Sequence, residues 1–237
     1  VDRLIHHSVA QALIQCPAKF KRYDHLDLDS LEFLLEKIYG NYDTIFVVTE
    51  SVFSMDGDYP DLKALVALKK RFQFVLVLDE AHGTGVFGQN GSGLADEMGV
   101  LPEIDILVGT LGKSLASMGA YVLANNSSII DFLTNKAGEY IYSTFLSPSQ
   151  AGAAFEAIKL IKNYGKEREN LRNLSKYFRK ALNPSGEIFE SPIIPILVGD
   201  PEETINLQNV LLEKGILVGA VRPPTVPANT SRLRLSL

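Results

Sequence analysis

The chain has 237 residues, 46% of them hydrophobic and 22% charged, and a formal net charge of −5. That describes a globular protein with room for one large α/β domain, or one with a smaller companion. The acidic balance argues against nucleic acid or an anionic membrane as principal partner, and charges interrupt every apolar run before it reaches bilayer length.

The opening VDRLIHHSVAQAL lacks a basic region followed by an apolar core, so it does not read as a signal peptide. It starts with Val-Asp rather than Met, as expected of a fragment. Cys16 is the single cysteine, which excludes an internal disulfide and fits a reducing, cytoplasmic setting.

Taken in chain order, short β-rich apolar runs alternate with helical patterns. Strands are predicted at IFVVTE (45–50), FVLVLDE (74–80), DILVGT (105–110) and AYVLA (120–124), then at PIIPILVGD (192–200), GILVGAV (215–221) and SRLRLSL (231–237). The earlier runs are continuously apolar, which suits strands covered on both faces in a parallel or mixed sheet. Asp29 with Glu32 reads as a helix-capping pair, with Gly40 closing that helix. Pro60 reads as the start of PDLKALVALKKRF, and Asp200, Pro201 and Glu203 open a helix that Gly215 ends. KERENLRNLSKYFRKAL (166–182) is a charged helix with an apolar stripe. The expected organisation is therefore a large domain over 1–165, lacking its N-terminal part, a connecting helix over 166–182, and a small, incomplete αβ domain over 183–237.

Lys113 raises the question of chemistry. In VGTLGKSLASMG (108–119) it is the only charge between Asp105 and Asp131, set among glycines, hydroxyls and apolar side chains. A phosphate-binding P-loop would need glycine where Leu107 stands, and Gly109 is too close to complete the cradle. GTGVFG (83–88) matches the dinucleotide-binding pattern literally. However, Asp79, Glu80, Ala81 and His82 separate it from its strand, and acids there would oppose a pyrophosphate.

A lysine in such surroundings is expected to have a lowered pKa through desolvation, and a deprotonated amine can hold a carbonyl as a Schiff base. Strand FVLVLDE ends at Asp79, and strand DILVGT leads into Lys113. Ligands of open α/β sheets bind beyond the carboxyl ends of strands, so both groups would face one crevice. An amine for an aldehyde and a carboxylate for a pyridine nitrogen are what pyridoxal phosphate (PLP) requires. Taken singly, Asp79, His82, Ser54 and Thr110 read equally as solvated or turn residues, and Glu80 as a salt-bridged neighbour.

TESVFSMDGD (49–58), LDEAHGTGVFGQNGSG (78–93) and GTLGKSLASMGAYV (109–122), in this order, resemble the PLP-dependent α-oxoamine synthases. These are fold-type I, class II aminotransferase-like enzymes that join an amino acid to an acyl thioester with loss of carbon dioxide. The resemblance runs along essentially the whole chain. It implies an α/β fold with a mostly parallel sheet, helices on both of its faces, and a small C-terminal αβ domain. The tail VRPPTVPANTSRLRLSL (221–237) and DRLIHHS (2–8) resemble most those members that take L-alanine and a pimeloyl thioester, on coenzyme A or an acyl carrier protein.

The resemblance also implies roles. Lys113 would carry the Schiff base and act as general base, Asp79 would partner the pyridine nitrogen, and His82 would bond the ring hydroxyl. Ser54 and Thr110 would contact the cofactor, Thr110 through its phosphate. His6 would stack on the ring face beside the substrate. Thr225 would meet substrate, and Arg234 would bind the amino acid carboxylate, with Arg232 as the fallback because alternate strand residues share a face. Ser143 and Thr144, in IYSTFLSP, would reach the phosphate in a neighbouring subunit, which implies a homodimer.

His7 reads as surface, and no third ligand suggests a metal site with it and His6. Members of the family also have a segment before DRLIHHS, with an aromatic that sandwiches the ring, and a continuation past RLRLSL; neither lies within these residues. Two other readings stay open. One is a sister synthase acting on glycine, forming 2-amino-3-ketobutyrate or 5-aminolevulinate. The other, from a different class, is a nucleotide-binding protein or an inactive truncated fold.

Overall fold

The computed structural model describes residues 1–186 and 188–237. By its contacts the chain forms two compact units, Val1–Val52 with Tyr59–Gly165, and Phe53–Asp58 with Lys166–Leu237. No helix among the described residues is long and apolar enough to cross a membrane.

The first unit is built on a four-stranded sheet in the order β1 (Phe46–Glu50), β2 (Val75–Asp79), β3 (Ile106–Thr110), β4 (Ala120–Ala124). The first two pairings are parallel and the last antiparallel. Around it run α1 (His7–Gln15), α2 (Leu28–Ile38), α3 (Leu62–Phe72), α4 (Leu94–Glu97), α5 (Ser127–Lys136), α6 (Gly138–Ile141) and α7 (Pro148–Ile161). Leu76 and Leu78 of β2, with Leu62 and Leu65 of α3, are wholly buried and form the centre of the core. Each such leucine contributes about 2 kcal/mol by leaving water.

The edge strands depart from expectation. Phe46, Val122 and Leu123 are exposed, so an apolar run does not here mean cover on both faces. Two helix starts also differ. The cap of α2 is Asp27, whose side chain accepts from the Ser30 amide, not Asp29. That of α3 is Asp61, which accepts from Lys63 and Ala64 and leaves Pro60 outside the helix. In both cases a nearby aspartate reaches the orphan amides of the first turn.

The second unit contains α8 (Gly165–Leu182), β5 (Ile193–Gly199), α9 (Pro201–Glu213), β6 (Gly219–Val221) and β7 (Ser231–Ser236). Its sheet is antiparallel in the order β5-β7-β6, with α9 packed on all three strands. Asp200 caps α9 through the Glu202 and Glu203 amides, as its sequence implies. The strand predicted over 215–221 is shorter, because Gly215 and the residues just after it complete the turn out of α9. The excursion Phe53–Asp58 is pinned by Arg179, which donates to the carbonyls of Ile193 and Gly57, and by Ser191, which also donates to Gly57.

Gly85 has φ +86°, and an added Cβ would strike the Ser114 side chain. Gly85→Ala is therefore expected to destabilise the chain by about 1–3 kcal/mol. Gly152, within α7 and with open space around it, is the control: Gly152→Ala should stabilise by up to about 1 kcal/mol. Urea unfolding of both variants checks the contrast.

Candidate active site

Parallel strands in register present paired residues on one face at one height. Glu50 pairs with Asp79, and Asp79 with Val108, so Thr110, two residues further along β3, shares that face. The carboxyl ends of three strands thus assemble a carboxyl pair and a hydroxyl along one edge. Asp79 is half-buried and accepts from the Ala81 amide at 2.8 Å. Glu50 is only 3% exposed, and the backbone amide of His6 bonds its carboxyl. Burial above all, then the Asp79 charge, pushes the Glu50 carboxyl up to about 8.

Lys113 lies in the turn between β3 and β4, closed by Leu111 N–H to the Gly119 carbonyl at 2.9 Å and Ser117 N–H to the Leu111 carbonyl at 2.8 Å. The Thr110 hydroxyl supports this turn, donating to the Gly119 carbonyl and accepting from the Gly112 amide, both at 3.1 Å. The lysine side chain is exposed, so its expected desolvation is not found: the turn projects it outward. Its charge nevertheless acts on the Glu50 carboxyl, as does that of Asp79. Lys113 follows β3 and Asp79 ends β2, so both stand beyond the carboxyl ends of adjacent parallel strands.

The loops carrying these groups are fastened together. Ser114 donates to the Thr84 carbonyl at 2.8 Å, and the Thr84 and Tyr121 hydroxyls lie 3.1 Å apart. Tyr121 lies across from Gly109, where any Cβ would overlap its ring. His82 is half-buried on the same loop, between Asp79 and Thr84. Glu80 differs from the expected salt-bridged neighbour. It is fully buried, and its carboxylate accepts from the Ala95 amide at 2.8 Å and the Leu94 amide at 3.2 Å, at the start of α4. Burial raises its pKa. The glycines of GTGVFGQNGSG thus belong to a folded-back loop around Glu80, where a Cβ at Gly83 or Gly93 would strike its carboxyl.

His6 is exposed and caps α1, its Nδ1 accepting from the Ser8 amide at 3.3 Å. The segment before it is anchored by the fully buried Asp2, which pairs with His25 at 2.9 Å and accepts from the Leu4 and Leu26 amides. His7 is exposed at the first position of α1. Ser143 and Thr144 are exposed beyond α6.

In the second unit, Arg232 and Arg234 occupy alternate positions of β7 and have different partners. Arg232 is buried and ion-paired with Asp56. Arg234 donates through Nε to the Ser54 carbonyl at 2.7 Å and through Nη1 to the Ser236 hydroxyl at 2.6 Å. Burial lowers the Arg234 pKa. Arg232 is thus occupied by an ion pair, whereas Arg234 bonds neutral acceptors. Exposed Thr225 lines a cavity of about 490 Å³ together with Met55 and Arg222.

Three residues that matter here were not singled out from the sequence. By sequence, Glu50 is the end of a strand, Asp56 part of a motif, and Tyr121 a strand residue. A carboxylate ending one of two adjacent predicted parallel strands was the available signal for Glu50.

The profile of the family described as aminotransferase class I and II matches residues 1–237. The 8-amino-7-oxononanoate synthase of Chlorobaculum parvum is 44% identical over 240 residues, a match covering 100% of this chain and 60% of that protein. The chain therefore spans about three-fifths of the length of this curated relative. Among solved structures, a serine palmitoyltransferase from S. paucimobilis with bound PLP is similar at TM-score 0.93 and 30% identity, covering 100% of this chain and 60% of that one. An 8-amino-7-oxononanoate synthase from Francisella tularensis is similar at TM-score 0.83 and 30% identity, covering 100% and 68%.

Removing the partner of a buried charge is costly, so Asp56→Ala is expected to lower stability by about 3 kcal/mol. Asp56→Asn, which keeps an acceptor but loses the charge, should fall between it and the unaltered chain. Denaturant midpoints at one pH check the order.

Proposed function

Because the chain belongs to the aminotransferase class I and II family, and within it to the PLP-dependent α-oxoamine synthases, we propose that its residues serve a PLP-dependent acyltransferase. The reaction condenses L-alanine with a pimeloyl thioester and releases carbon dioxide, the thiol and 8-amino-7-oxononanoate. The observation that supports this reading is that Asp79 ends β2 and Lys113 lies in the turn after the adjacent parallel strand β3.

The donor set fits the cofactor. An amine, a carboxyl, an imidazole and a hydroxyl stand on adjoining loops, and the buried Oε1 of Glu50 has no hydrogen-bond partner among the described residues. When bound, PLP draws electrons from the α-carbon of the amino acid it carries. Lys113 would hold its aldehyde carbon and, once released, take the α-proton as general base. Asp79 would keep a proton on the ring nitrogen, His82 would bond the ring hydroxyl, and His6 would cover the ring face beside the substrate. Ser54 and Thr110 would contact the cofactor, Thr110 at its phosphate.

Arg234 would bind the carboxylate of alanine, and Thr225 would meet substrate. Since Nε is committed to Ser54, the terminal nitrogens of Arg234 would make the two-pronged contact. Ser143 and Thr144 would reach a second copy's cofactor phosphate. Support for such a homodimer is the apolar exposure beside them, with Tyr142 88% and Phe145 84% accessible. The exposed thiol of Cys16 suits a reducing, cytoplasmic compartment. The TM-score of 0.93 to a serine palmitoyltransferase favours serine with a palmitoyl thioester as a second reading.

Mixing the chain with PLP should give a yellow absorbance that shifts on addition of alanine. Lys113→Ala should remove the covalent signal and lower turnover by at least about 10²–10⁴-fold; substantial turnover in that variant refutes the assignment. Arg234→Ala should raise KM for the amino acid about 10–100-fold while leaving the thioester KM unchanged. Comparing alanine, glycine and serine, each with pimeloyl, acetyl, succinyl and palmitoyl thioesters, separates the sister activities.

A further inference from the structure

Glu50 is the feature of this edge that the proposed chemistry does not use. It is more deeply buried than Asp79, its partner in the register of β1 and β2. Two carboxyls side by side do not both ionise readily, and the proton goes to the one that water reaches least. The buried Oε1, which has no hydrogen-bond partner among the described residues, adds to this preference.

Resting on the PLP reading above, we propose that Glu50 is a positioning residue: a neutral carboxylic acid that holds the pair's proton and so keeps its negative charge on Asp79, where the ring nitrogen needs it. Asp79 on β2 and Asp2 near the N-terminus disfavour ionisation of Glu50, whereas Lys113 on the β3–β4 turn and the His6 amide favour it. Burial outweighs the last two and pushes the carboxyl up to about 8. The competing role is an ion pair with Lys113, in which Glu50 would be charged at neutral pH.

The two roles predict opposite pH behaviour of the chain without PLP. A carboxyl raised in the folded state contributes stability that is complete below its unfolded pKa. That stability is lost as pH rises from about 4.5 through about 8. Glu50→Gln is neutral at every pH and lacks this loss. Its melting temperature relative to wild type should therefore climb between pH 5.5 and 9, by about 4 °C or more. Parallel curves, or an advantage for wild type that grows with pH, overturn the proposal.

Should the variant not fold, carbon-13 NMR of the wild-type Glu50 carboxyl, assigned through its backbone, decides the matter. Titration above pH 7 supports the proposal, and titration near pH 4–5 overturns it. PLP absorbance reports separately on the cofactor reading. Wild type and Glu50→Gln should bind PLP at pH 7 within about threefold of each other. Failure of wild type to bind sinks the positioning role, even if the proton is found on Glu50.

Discussion

The register of three parallel strands is the constraint on which the rest of the first unit depends. Hydrogen bonding between β1, β2 and β3 leaves no freedom in which residues stand abreast, so Glu50, Asp79 and Val108 must share one face at one height. A slip of one residue would turn Asp79 to the opposite side and bring Leu78, now wholly buried, onto this face. Burial of Leu76 and Leu78 therefore does more than stabilise the sheet. It fixes the rotational setting of β2, and with it the direction in which the carboxylate points.

Loops beyond the strands are held to that setting by contacts among themselves. Ser114 bonds the backbone at Thr84, tying the lysine turn to the loop that carries His82. Tyr121 lies over Gly109 and meets the Thr84 hydroxyl, so the antiparallel strand β4 braces the same junction. Glu80 is drawn inward to satisfy two amides of α4, which folds the glycine-rich segment back on itself. The glycine spacings that imitate nucleotide-binding loops thus have a packing origin. At Gly85 and Gly93 a side chain would collide with Ser114 and Glu80 respectively.

Much of this was legible beforehand because it follows from local patterns. Strand order along the chain, Asp200 as a cap and the placing of Asp79 and Lys113 at strand ends each depend on residues close in sequence. What escaped depends on distant partners. Glu50 looks like an ordinary strand terminus until its neighbour across the sheet is known, and its charge state is set by that neighbour. The exposure of Lys113 turns on how a turn projects its side chain, which composition alone does not specify. Choosing between Asp27 and Asp29 as a cap requires knowing which side chain reaches the Ser30 amide, a matter of one turn's geometry.

The two arginines of β7 show the same principle at its sharpest. Alternate residues of a strand point the same way, so Arg232 and Arg234 are equivalent by pattern and by charge. Their register differs: Arg232 stands between Leu197 and Val221, and Arg234 between Pro195 and Gly219. Asp56, delivered by a segment far away in sequence, neutralises the first and buries it. The second meets neutral acceptors, the Ser54 carbonyl and the Ser236 hydroxyl, and has no carboxylate partner among the described residues. A half-buried guanidinium held by neutral groups is oriented without being neutralised, and that combination suits recognition of an incoming carboxylate.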